Sequence, residues 1–114
     1  MKIVDDKIYI SELVKMSLKM FGNMVKAVVD IEKEIMVVDA DLHSDEEAAL
    51  LKSGSKQENL WGINIYPEIS GDGMIEFDSM INLRPSFNNK SRSVDSEKTK
   101  IKITEIVNKL IKYE

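Results

Sequence analysis

The chain has 114 residues, 43% of them hydrophobic and 32% charged, with a net charge of −4 and no cysteine. That length supports one hydrophobic core, so a single domain is expected over residues 1–114. The lack of cysteine excludes disulfides, thiolate metal centres and cysteine nucleophiles, and the acidic balance argues against nucleic-acid binding, which needs clustered lysine and arginine.

The opening stretch MKIVDDKIYI carries two aspartates where a signal peptide needs an unbroken apolar run, and no apolar segment reaches the roughly 18 residues that cross a bilayer. A cytoplasmic protein without a membrane segment is the expectation. Ser11 then precedes a helix in which Leu13, Val14, Ser17, Met20 and Phe21 share one face and Lys15 and Lys19 the other, ended by Gly22 as a left-handed cap.

MVKAVVDIEKEIMVVDA reads as a hairpin turning at Glu32-Lys33. Pairing about that point places Val25, Ala27, Val29, Met36, Val38 and Ala40 on one apolar face. The reverse face pairs Asp30 with Ile35 and Lys26 with Asp39, an ion pair across the ladder, with Val28 and Val37 between. Those apolar residues among charges make that face a candidate homodimer surface.

HSDEEAALLKSG follows helix-start grammar, with Ser44 and Glu47 forming a capping box, Asp45 and Glu46 at the positive end of the dipole, and Gly54 at the stop. Ser55 and Glu58 suggest a further turn. In NLWGINIYPE and GMIEFDSMINLRP, Trp61, Ile63 and Ile65 alternate in register with Ile75, Phe77, Ile81 and Leu83. The reverse of this second hairpin carries Asn64, Tyr66, Glu76, Asp78, Asn82 and Arg84. Asp95 or Ser96 caps a last helix whose stripe is Ile103, Ile106, Val107, Leu110 and Ile111. The expected fold is α+β in the order α-β-β-α-β-β-α, a mostly antiparallel sheet of two hairpins packed by three helices in two layers.

Two groups of residues could carry chemistry. Asp39, Asp41, His43 and Asp45 alternate around the only histidine, and Asp41, His43 and Asp45 with Asp78 form an alternative divalent-cation set, although the loop lacks the glycine and distant glutamate of an EF-hand. His43 alone could act as a general base. The default there is a capped helix, with no metal and no cofactor.

The second group follows the second hairpin. Thirteen acidic residues face three lysines from Asp30 to Asp78, whereas Arg84 to Lys102 holds six basic residues against two acidic ones. Arg84, Lys90 and Arg92, oriented by Asn82 and Asn88, could hold a phosphate or carboxylate through charge-assisted hydrogen bonds.

At MVKAVVDIEKEIM, LHSDEEAALLKSGSKQENLWGINIYPE and IEFDSMINLRPSFNNKSRSV the sequence resembles a family of small prokaryotic proteins, domain of unknown function 5674, from about Phe21 to Leu110. The resemblance implies a compact single domain and no particular activity. The preferred expectation is therefore a non-catalytic binding module for an anionic small molecule or protein partner. A metal-assisted phosphate-ester hydrolase using Glu76, Asp78 or the Asp41-His43-Asp45 group, with Arg84 stabilising the transition state, is the alternative.

Overall fold

The frame is the first hairpin. Strands β3 (Val25–Asp30) and β4 (Ile35–Val38) pair antiparallel with Asp30 opposite Ile35, the register that symmetry about the turn requires. Asp30 holds that turn from beneath. Its fully buried carboxylate accepts the amides of Glu32 and Lys33 at 2.9 and 3.0 Å and the hydroxyl of Ser55 at 2.6 Å. Ser55 is thereby committed to the turn rather than to capping the 3₁₀ turn at Gln57–Asn59.

Strand β5 (Leu60–Ile65) adds to the other side of β3, and the short β6 (Ile75–Glu76) adds to β5. β1 (Lys2–Val4) closes the far edge against β4, giving an antiparallel five-stranded sheet in the order β1-β4-β3-β5-β6. A second, parallel pair joins β2 (Ile8–Tyr9) to β7 (Ile111–Lys112) and ties the two ends of the chain together. This computed structural model describes Met1–Glu114. The fold is α+β with three helices, as the hydrophobic patterning predicts; β1, β2 and β7 are additions too short to show a period of their own.

The number of layers differs from expectation. Helices α1 (Ile10–Met20) and α3 (Glu97–Leu110) cover one face, where Leu13, Ile103, Ile106, Val107 and Leu110 join Val25, Ala27, Val29, Met36, Val38, Trp61, Ile63 and Ile65 in one buried cluster. Helix α2 (His43–Lys52) covers the other, where Leu50 packs on Val28, Val37 and Leu60. The two-layer arrangement is therefore replaced by helices on both faces, because Val28 and Val37 are fully buried beneath α2. For the same reason the candidate homodimer surface on that face is occupied by the chain's own helix.

Helix ends follow local chemistry in two cases out of three. Gly22, at φ +92°, closes α1 by donating to the Ser17 carbonyl, and Ser96 accepts the Thr99 amide at 3.2 Å to start α3. At α2 the capping box does not form. The helix starts one residue early, at His43, with Leu42 at the N-cap and no side-chain hydrogen bond to the first turn.

The shift has a cause upstream. Asp39 takes φ +69°, ending β4 at Val38, so the Lys26–Asp39 pair across the ladder is not made and the aspartates cease to alternate. No helix is long and apolar enough to cross a membrane.

Candidate functional site

The loop expected to hold an anion is instead folded into the sheet as a brace. Beyond Asp78 the strand alternation stops, because a 3₁₀ turn at Met80–Asn82 brings Asn82 against β5. Its amide side chain stands in for a missing strand, accepting from the Gly62 N–H at 2.8 Å and donating to the Gly62 carbonyl at 2.9 Å. Glycine is required there: a Cβ on Gly62 would lie 2.6 Å from the Cβ of Ser79. Asn89, also buried, donates to the carbonyls of Asn82, Ser91 and Ser93 and accepts the Asp95 amide at 2.8 Å.

Arg84 is buried too, so it does not project beside Asp78. Its guanidinium lies 4.5 Å from the Trp61 ring centre and 5.8 Å from that of Phe87, and donates to the carbonyls of Gln57 and Leu60. Burial lowers its pKa. The five residues Asn82, Arg84, Asn88, Lys90 and Arg92 thus disperse. Asn82 and Arg84 are built into the fold, Asn88 is an exposed left-handed cap at φ +61°, and Lys90 is exposed and gives its backbone amide to Asp95. Only Arg92 reaches a cleft.

That cleft, about 390 Å³, opens between the start of α2 and the sheet. Its floor is a row of side chains across three strands, since Lys26 is opposite Asn64 and Asn64 opposite Glu76. Leu42, His43 and Ser44 form one wall; Asp78, Ser79, Met80, Ile81 and Arg92 form the other. Four of the six residues assigned by alternation to the polar face, Asn64, Tyr66, Glu76 and Asp78, do line it.

The floor and far wall are closely bonded. Glu76 accepts from Asn64 Nδ2 at 2.8 Å and from the Tyr66 hydroxyl at 3.1 Å, and burial, with that carboxylate beside it, raises the phenol's pKa. Arg92 Nε donates to Asp78 at 2.8 Å. His43 is directed by the sheet: its Nε2–H donates to the Ile63 carbonyl at 2.7 Å, fixing the tautomer. Burial lowers the imidazole's pKa, so the ring is neutral near pH 7, with Nδ1 as its acceptor.

Three groups around the cleft lack an intramolecular counterpart. Lys26 takes part in no ion pair; its ammonium lies 5.1 Å from the Phe21 ring centre. The first-turn amides of α2 have no side-chain cap. Asn64 is only 6% exposed, yet its Oδ1 has no hydrogen-bond partner.

The candidate cation set separates. His43 and Asp78 line the cleft, whereas Asp41 and Asp45 border a shallower depression with Met1, Met20 and Lys52. No three histidine or acidic side chains gather closely enough to hold a metal ion. A buried carboxyl lies one turn further along α2. Glu46, read from sequence as a partner of the helix dipole, is fully buried, accepts the Ala40 amide at 3.1 Å, and has its pKa pushed up to about 9 by burial. Its helical spacing with His43 and Leu50 was the available signal, masked by the acidic run around it.

Fold and cleft together define a small α+β protein with an antiparallel sheet and a polar cleft at a helix start. The chain belongs to a family described as protein of unknown function (DUF5674), whose model matches residues 2–110. No curated protein and no solved structure matches it.

Proposed function

We propose that the chain is a non-catalytic binding module whose cleft takes a small anionic ligand. The observation that carries this reading is that Lys26, free of any carboxylate, lines the same cleft as the uncapped start of α2. An ammonium and helix N-terminal amides favour the same sign of charge, and their attractions add when one ligand group meets both. Arg92, held by Asp78 through Nε, keeps its terminal nitrogens for a third contact. The volume suits a small metabolite rather than a peptide.

Of the residues expected from sequence, Arg92 belongs to this site, while Arg84 supports it from the opposite face through Trp61. Of the groups that a metal-assisted phosphate-ester hydrolase would use, Glu76, Asp78 and His43 line this cleft, but Asp41 and Asp45 border a different depression and Arg84 is stacked on Trp61 and bonded to two carbonyls, away from any transition state there.

Calorimetric titration with inorganic phosphate and with a short carboxylate tests the reading. Saturable binding that weakens at least about tenfold in Lys26→Met, with the fold retained, is the expected result. Equal affinity in the variant would remove Lys26 from the site, and no saturable binding of either anion would refute the reading.

A further inference from the structure

The floor of the cleft specifies more than negative charge. The Asn64 amide cannot be turned over to hide its oxygen, because Nδ2 is already committed to two acceptors, Glu76 Oε1 at 2.8 Å and the Asp78 carbonyl at 3.3 Å. Reversing it would set Oδ1 against a carboxylate and a carbonyl. The oxygen is therefore fixed on the other side of the amide, inside a residue that is more than nine-tenths buried, with nothing donating to it. An acceptor in that condition is costly, and the cost is recovered by whatever supplies a hydrogen.

His43 adds a second acceptor of the same kind. With Nε2–H held by Ile63, the neutral ring offers Nδ1 to a donor, and the residue lines the same cleft. Glu76 and Asp78 add carboxylates, each already accepting from the protein but with lone pairs in reserve. Lys26, Arg92 and the α2 amides are donors. The lining is thus divided into a donor set and an acceptor set within one small volume.

We propose that the natural ligand is a small acid bearing an amino or hydroxyl group next to its carboxylate, the amino-acid and hydroxy-acid class. The acid group meets Lys26 and the start of α2, and the neighbouring N–H or O–H donates to Asn64 Oδ1, an atom closed to solvent that the ligand reaches by displacing the side chains over it. This assignment rests on the anion reading above and narrows it. A site with a buried acceptor discriminates strongly against analogues that lack the hydrogen, because the acceptor is then desolvated for nothing.

The test compares propionate, lactate and L-alanine, which share a three-carbon skeleton and differ at one position, by calorimetry on the full chain at constant ionic strength. Lactate or alanine should bind at least about tenfold more tightly than propionate. The tighter of the two tells hydroxyl from ammonium. Asn64→Leu, close in volume but unable to accept, should bring that preference, read against propionate in the same variant, below about threefold. Lys26→Met should weaken all three acids.

Should Asn64→Leu fail to fold, the side-chain ¹⁵N resonance of Asn64 in the unaltered protein serves instead. It should move with lactate or alanine and stay in place with propionate. Equal affinity for the three acids, or a preference unchanged in Asn64→Leu, would overturn the donor requirement and leave the anion reading standing. No binding of any acid or of phosphate would overturn both.

Discussion

The brace beneath Trp61 and the cleft beside α2 are built from the same kinds of residue, asparagines and arginines from the second half of the chain, yet they differ in what is left over. In the brace the carboxamides are fully used, and only Arg84 Nε and the Trp61 indole nitrogen, buried against each other's side chains, lack a hydrogen-bond partner. Asn82 completes the ladder at Gly62, Asn89 gathers three carbonyls, and two nitrogens of Arg84 take two more. In the cleft the Lys26 ammonium has no ion pair, and the backbone amides of His43 and Ser44 and the carboxamide oxygen of Asn64 have no hydrogen-bond partner. A basic, asparagine-rich loop is thus no evidence of a binding site until its hydrogen bonds have been accounted for.

The sharpest way to break this contrast is at Asn82. Asn82→Ala strips both partners from the buried Gly62 backbone, and the free energy of unfolding should fall by about 2–4 kcal/mol in denaturant titration. A loss below about 0.5 kcal/mol would mean that the brace is ornamental.

Glu46 comes next, and its effect is read through pH. Its folded pKa of about 9 lies above the ordinary carboxylate value of 4.5, so the folded chain holds a proton that the unfolded chain gives up. Its contribution is complete below about pH 4.5 and is lost as pH rises towards 9, on the order of a few kcal/mol in total. Glu46→Gln should flatten that decline in thermal melts taken across the range. A slope unchanged in the variant would assign the pH dependence elsewhere. His43 works in the opposite sense: with its pKa lowered, its contribution is present above about pH 6.5 and fades as pH falls through the folded value.

Arg84→Met keeps an apolar stem against Trp61 but leaves the Gln57 and Leu60 carbonyls without their donors, and should cost about 1–2 kcal/mol. Arg84→Lys should not restore it fully, since an ammonium lacks the planar fork that reaches two carbonyls while stacking. Ser96→Ala removes the cap of α3 and should cost about 1 kcal/mol. Smallest of all, Lys26→Met should change stability by less than about 0.5 kcal/mol, since the ammonium has no ion pair to lose.

Much of the fold was legible where a period and a chemical check agreed. The first hairpin's register follows from symmetry about Glu32-Lys33, and the α3 stripe of Ile103, Ile106, Val107 and Leu110 is buried as spaced. The side on which α2 packs was hidden, because Val28 and Val37 sit between Lys26, Asp30 and Asp39 and resemble a solvated strand face. The cleft was half legible: alternation carried Asn64, Tyr66, Glu76 and Asp78 to the correct side, then failed at Ser79. Ile81 and Leu83 continue the alternating pattern although the backbone has already turned. Gly62 inside an apolar strand was the signal that another segment approaches closely.

An amide-resolved NMR titration of the whole chain with inorganic phosphate compares the two regions in one experiment. The expected result is saturable shifts at His43 and Ser44 and at the Asn64 side chain, while Asn88 and Lys90 stay in place. Shifts confined to the loop from Arg84 to Lys90, with the start of α2 unmoved, would contradict the account.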